Sequence, residues 1–171
     1  MRSTRETDFD EFFRAVYPAV HRAAFRIVGD RGDAEDAAIE ALTRAFVRWP
    51  RLRSLPHRDA WVMRVVINEA LSQLRRRKRS AAADRHEGRR VLGTDDALAT
   101  RVSLVAALTL LPRRQREAIG LRYLADMSEA DTALALGLST GTVKSHLHRA
   151  TNALRVALGD DVIKELLHDD A

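Results

Sequence analysis

An all-helical chain of two small domains joined by a flexible linker is predicted from three observations. Apolar residues recur at helical spacing in every long segment, and no stretch alternates apolar with polar residues as a half-buried strand would. A polar, Gly-containing run after a block of arginines divides the 171 residues in two. The composition agrees: 46% hydrophobic residues can build a core, but with only 5% aromatics two small helical units suit better than one large core.

In chain order, Phe9, Phe12, Phe13, Val16, Tyr17, Val20, Ala24, Ile27 and Val28 mark the apolar face of a first helix, which Pro18 is expected to kink or divide. Gly29-Asp30-Arg31-Gly32 breaks it. Asp33 is expected to open a second helix running to about Trp49, with acids in its first turn where they complement the helix dipole. A loop, Pro50 to Pro56, leads to a third helix beginning at His57 or Arg58. That helix carries Trp61, Val62, Val65, Val66, Ala70 and Leu74 into the arginine block. Residues 1–79 form the expected N-terminal domain and 80–96 the linker. The C-terminal domain, 97–159, begins with a helix from Ala97 to Leu111; Pro112 starts the next, continuing to Leu124. Residues 160–171 are an acidic tail with at most one helical turn and no assigned role.

Charge is unevenly placed. Arg75, Arg76, Arg77, Lys78, Arg79, Arg85, Arg89 and Arg90 face only Asp84 and Glu87, so this segment supplies the whole net charge of +5 and the remainder is about neutral. Lysine occurs only at 78, 144 and 164. The arginine excess fits phosphate and base-edge recognition, and fits GC-rich coding equally well. The chain has no cysteine, which excludes disulfides and thiolate metal sites and suits a reducing compartment. No apolar run approaches a membrane span, and the first residues lack the apolar centre of a signal peptide. A cytoplasmic protein with no membrane contact of its own is expected.

The most informative stretch is Ser128 to Ala150. Ser128 caps a short helix, and Asp131 three residues later gives capping-box spacing. Gly137 ends that helix in the left-handed region, and Ser139 caps a second that extends to about Leu158, stopped by Gly159. Leu134 or Leu136, with Leu138, Val143 and Leu147, forms the apolar seam between the two. Lys144, Ser145, His148 and Arg149 are left facing outward. Two short helices with a tight turn and a cationic second helix are how a protein places a helix in the major groove of DNA. Neither a Gly-rich phosphate loop, nor paired catalytic carboxylates, nor a nucleophile motif, nor metal-ligand spacing is present. No catalytic residue, metal or cofactor is expected.

Leu111-Pro112-Arg113-Arg114-Gln115-Arg116-Glu117, together with Gly141-Thr142-Val143-Lys144-Ser145-His146-Leu147-His148-Arg149-Ala150, resembles the −35-reading domain of bacterial sigma factors. Asp33-Ala34-Glu35-Asp36, Arg44-Ala45-Phe46 and Ala60-Trp61-Val62, then Arg64, Asn68 and Arg75-Arg76-Arg77, resemble their −10-reading domain. Both halves in this order, on a short linker, resemble an extracytoplasmic-function (ECF) sigma factor over about residues 9–79 and 97–158. The resemblance implies a non-enzymatic promoter-recognition factor whose partners are core RNA polymerase, promoter DNA and an anti-sigma factor. The rival is a free-standing helix-turn-helix regulator binding operators as a dimer.

By that resemblance Thr142, Lys144, Ser145, His148 and Arg149 would contact the −35 element. Arg53, Arg58, Trp61, Arg64, Asn68, Arg75 and Arg76 would contact the −10 element: Asn68 could read a base edge, Arg64 could hold a phosphate, Arg75 and Arg76 could track phosphates, and Arg53 and Arg58 lie in the loop, residues 50–58, that the family closes over a flipped base. Trp61 sits at a core position and would pack before it stacked. Asp33, Glu35, Asp36, Ile39, Glu40 and Arg44 would form the polymerase-binding face. The chain departs from the family pattern at Ile39, where Gln is usual, at Thr43, where Leu is commoner, and at Thr132, where Ile is commoner.

Overall fold

The computed structural model describes the backbone of residues 4–86, 96–161, 163 and 164. The described residues are helical, with short turns and no strand. Seven α-helices follow in order: α1 (Thr4–Val28), α2 (Arg31–Leu52), α3 (Arg58–His86), α4 (Asp96–Leu110), α5 (Arg113–Ile119), α6 (Glu129–Leu136) and α7 (Thr140–Leu158). A π-helical turn, Gly120–Leu124, follows α5 directly.

Helices α1, α2 and α3 pack on one another as a three-helix unit. Its core is Val20, Ala24 and Ile27 of α1, the small-residue face Ala34, Ala37, Ala38, Ala41 and Ala45 of α2, and Val62, Val66 and Ala70 of α3. Alanines on α2 let its backbone approach both neighbours closely. At the far end Phe9, Phe12 and Trp49 make an aromatic box, with ring centroids 4.8–6.1 Å apart. Burying Trp49 obliges its indole N–H to find an acceptor, and it donates to the Asp8 carboxylate at 3.1 Å.

The second unit is built on α7, which packs against α4, α5 and α6. Val143, Leu147, Ala150 and Leu154, spaced three and four apart, are its buried stripe. Glu117 of α5 is buried with its charge, and this is tolerable because Arg113 and Arg114 close on its two oxygens at 3.0 and 3.2 Å.

The two units also pack together, through α1 and α3 on one side and α4, the π turn and α6 on the other. A Cβ on Gly120 would stand 2.8 Å from Ile67 Cγ2, so only glycine permits this approach. Arg26 reaches across to the Asp126 carboxylate at 2.5 Å and to the Leu124 carbonyl at 3.5 Å. Asp126 itself lies in the left-handed region at φ 52°, which a short polar side chain tolerates better than most.

Several helix ends differ from those read in the sequence. Helix α1 runs unbroken through Pro18 rather than dividing there. Helix α2 is capped by Asp30, whose Oδ1 accepts the Asp33 N–H at 3.0 Å, so Arg31 and Gly32 lie inside the first turn rather than in a break. It also continues through Pro50, because Trp49 and Leu52 are buried and hold the last turn. Helix α3 carries the arginine block onward to His86, into the segment expected as linker. Residues 87–95 of that segment lie outside the described residues. Among the described residues of the tail, Ile163 is fully buried, so its apolar side chain anchors the start of the acidic segment.

Thr132, where isoleucine is commoner in the family, is completely buried and its hydroxyl has no hydrogen-bond partner. An unpaired buried hydroxyl costs about 1–3 kcal/mol. Thr132→Val, which keeps the shape and removes the oxygen, should therefore raise the urea midpoint by the equivalent of about 1 kcal/mol at unchanged slope. A lowered midpoint would mean that the hydroxyl has found a partner.

Candidate nucleic-acid interface

The helix-turn-helix is set by local chemistry. Ser128 Oγ accepts the Asp131 N–H at 3.0 Å and donates its own proton to Asp131 Oδ2 at 2.6 Å. The reciprocal arm of the box thus runs through the hydroxyl rather than the Ser128 backbone. At the other end of α6, Gly137 takes φ 64°, the Leu138 N–H bonds to the Ala133 carbonyl at 2.9 Å and the Gly137 N–H to Leu134 at 3.2 Å. These two bonds make a Schellman motif, which turns the chain within two residues. Ser139 then caps α7, accepting the Thr142 N–H at 3.1 Å. In the seam it is Leu136 that is buried, while Leu134 is exposed.

This leaves one face of α7 in solvent. Thr142, Lys144, Ser145, His148 and Arg149 are all exposed. Thr142 shares a hydrogen bond with the cap hydroxyl at 2.8 Å, and Ser145 Oγ donates to the Gly141 carbonyl at 3.1 Å. Lys144 is 3.6 Å from Glu129, and His148 Nε2 is 3.1 Å from Asn152 Nδ2. Among the described residues Arg149 has no hydrogen-bond or ion-pair partner. A guanidinium free of internal partners on an exposed helix face can engage a phosphate or the O6/N7 edge of guanine without first breaking a bond.

On α3, Trp61, Arg64 and Asn68 are half-buried and share a face. Asn68 Nδ2 donates to the Arg64 carbonyl at 2.9 Å. Trp61 packs against the core and carries the Arg48 guanidinium over its ring at 5.7 Å, a cation that sequence patterning did not single out. Arg53 and Arg75 are exposed. Arg76 is tied to Glu69 at 3.1 Å and to Ser72 at 3.2 Å, so its charge is partly spent inside the helix surface. Arg58 is likewise engaged, by aromatic rings and a backbone carbonyl rather than by solvent alone.

Helix α2 divides the six acidic-face candidates in two. Asp36, Ile39 and Glu40 are exposed on one side, continuous with Thr43 and Val47, and Glu35 is exposed nearby. Asp33 and Arg44 instead face α3: Asp33 pairs with Arg77, and Arg44 bridges Glu40 at 2.8 Å and Glu69 at 3.1 Å. Those two side chains bind α2 to α3. Ile39 forms the lip of an apolar cleft with Phe9, Phe13, Leu42, Thr43 and Phe46.

Comparison with known proteins matches residues 12–80 to sigma-70 region 2 and residues 101–154 to sigma-70, region 4. The chain is 38% identical over 154 residues to the RNA polymerase sigma-E factor of Streptomyces coelicolor, covering 88% of this chain and 86% of that one. It is 33% identical over 151 residues to the ECF RNA polymerase sigma factor SigM of Mycobacterium tuberculosis, covering 88% and 77%. The chain belongs to the ECF group of sigma-70 factors.

As a sigma factor it directs promoter recognition and transcription initiation by RNA polymerase. Its fold is shared by the sigma factor RpoE solved in complex with the anti-sigma factor NepR from Bartonella quintana. The TM-score is 0.54 at 27% identity, covering 96% of this chain and 99% of that one. Among the described residues of this sigma factor no group of acidic and histidine side chains could hold a metal ion, and no helix is long and apolar enough to cross a membrane.

The cap that opens the recognition helix can be tested alone. Ser139→Ala should lower the stability of this sigma factor by about 1 kcal/mol in chemical denaturation, through loss of the bond to the Thr142 N–H. An unchanged midpoint would show that the helix start does not depend on that hydroxyl.

Proposed function

We propose that α7 of this sigma factor reads the −35 element, with Arg149 and Lys144 as its cationic contacts and Ser145, Thr142 and His148 beside them. The face of α3 bearing Arg64 and Asn68, with the loop before it, takes the −10 element; Arg53 and Arg75 supply phosphate contacts there. The stripe Asp36, Ile39, Glu40, Thr43 and Val47 on α2 docks onto core polymerase. Residues 1–79 and 97–159 act as the two binding domains, with 80–96 between them. An anti-sigma factor restrains the chain in the cytoplasm, as NepR partners RpoE in the solved complex. The chain performs no chemistry itself; the polymerase does. The observation that carries this reading is the separation of a capped, exposed cationic face on α7 from an exposed acidic and apolar face on α2.

The packed arrangement bears on how this works. A compact chain of 171 residues is only about 40 Å across. Elements centred at −35 and −10 stand roughly 25 base pairs, or about 85 Å, apart along duplex DNA. One chain grips both only after the contact between its domains has parted. The ion pair of that contact, Arg26–Asp126, is part-exposed, and such pairs contribute about 0–1 kcal/mol, so what has to part is the apolar packing around Ile67 and Gly120.

Run-off transcription with purified core enzyme tests the assignment. The wild-type chain should confer start-site selection, and Arg149→Ala should lose about tenfold on promoters with the preferred −35 base while losing little where that base is already changed. Equal loss on every −35 variant would contradict base reading by Arg149. Absence of any selected start would overturn the functional reading.

A further inference from the structure

The five residues between α2 and α3, Arg53 to His57, run on the surface, with Arg53, Ser54, Leu55 and Pro56 exposed. A surface loop of this kind is normally mobile unless tied down. Here three bonds hold its first half: Arg53 N–H to Trp49 O and Leu55 N–H to Leu52 O, each at 3.0 Å, and Ser54 Oγ to Arg51 O at 3.1 Å.

The loop's last residue, His57, is tied by the Trp61 N–H to its carbonyl at 3.1 Å, and a further restraint is Arg58. Its guanidinium carbon lies 5.4 Å from the centre of the Phe12 ring and 6.0 Å from that of Trp49. Its Nη1 donates to the Arg53 carbonyl at 3.1 Å, and its Nε is 3.9 Å from the Asp59 carboxylate. One planar cation thus joins α1, the end of α2, the first loop residue and the start of α3. Trp49 cannot follow a moving loop, because its indole is fixed to Asp8 and its ring meets Phe9 edge-on. The ring faces and a carbonyl engage one side of the guanidinium, with the Asp59 carboxylate near it, while the side chain stays 44% exposed. Lysine could not substitute, since stacking and directed donation both need the flat fork.

We propose that Arg58 is a positioning residue for −10 recognition: it fixes the 53–57 loop on the aromatic box as the wall against which an unpaired −10 base is read, without itself touching DNA. This rests on the assignment of the −10 element to α3 and its preceding loop. The family resemblance puts Arg58 among the −10 contacts, in the loop that closes over a flipped base; the proposal makes it the residue that holds that loop rather than one that touches the base. Arg53, whose side chain is exposed and whose carbonyl is the anchor, remains a direct contact.

The test uses holoenzyme assembled from core polymerase and the full chain. Promoter binding is measured against salt concentration, and open-complex formation is measured on templates carrying each base substitution in the −10 element. Arg58→Ala should reduce discrimination between the preferred and substituted −10 bases about tenfold, yet leave the salt slope of binding unchanged. Arg58→Lys should keep the slope and fail to restore discrimination. Arg53→Ala, the comparator, should lower the slope by about 0.9, as one lost phosphate contact does. The proposal is overturned if Arg58→Ala lowers the slope by that amount, or if Arg58→Lys restores discrimination. Should Arg58→Ala fail to fold, the Lys variant decides alone. A wild-type holoenzyme indifferent to −10 substitutions would instead sink the assignment of the −10 element on which the proposal rests.

Discussion

Helix α3 has to satisfy two partners at once, and most of the molecule follows from that constraint. Val62 and Val66 close the three-helix unit, while Ile67, about 100° further round the helix than Val66, meets Gly120 of the second unit. An ordinary surface helix buries one stripe and leaves the opposite face wet. Here the dry sector is wide, and the polar sector is squeezed to the arc of Trp61, Arg64 and Asn68 on one flank and the ion-paired Glu69 and Arg76 on the other. The arc proposed to read DNA is what remains of α3 once both packing demands are met.

The same economy governs charge. Arginines abound, but the fold sorts them by what their neighbours allow. Arg44 and Arg77 pair with Glu69 and Asp33 and hold α2 to α3, with Arg76 closing on Glu69 from its own helix; Arg113 and Arg114 neutralise buried Glu117; Arg26 joins the two units. Among the described residues Arg149 has no internal partner, and it stands on a helix with a capped start. Partnered guanidiniums serve architecture, and unpartnered ones such as Arg149 are available to a ligand.

The helix-turn-helix was legible in the sequence because its determinants are local. Ser128, Gly137 and Ser139 each act within a few residues, and all three do in the structure what their types suggest. The ends of the long helices were less legible, because tertiary packing overrode local signals there. Pro50 lies within α2 since Trp49 and Leu52 on either side are anchored in the core. Asp33 reads as a helix start, yet the cap is Asp30 and Asp33 turns inward to Arg77. The contact between domains could not be read at all: Gly120, Ile67, Arg26 and Asp126 are brought together only by the fold, and nothing in their own neighbourhoods marks them. Arg58 was legible as an arginine in the right loop, but its role depends on rings contributed by Phe12 and Trp49.

On the proposed assignment of one promoter element to each domain, a chain packed through Gly120 and Ile67 opens when it binds both. The absence of native cysteine makes this directly measurable: spin labels on Arg22→Cys and Ala153→Cys, both at exposed helix positions, would be the only ones in the chain. Pulsed dipolar spectroscopy should find a narrow distance distribution below about 40 Å in the free protein. On core polymerase with promoter DNA the same pair should move well beyond it. A broad, long distribution in the free chain would contradict the packed arrangement, and a short distance kept on the promoter complex would contradict its opening.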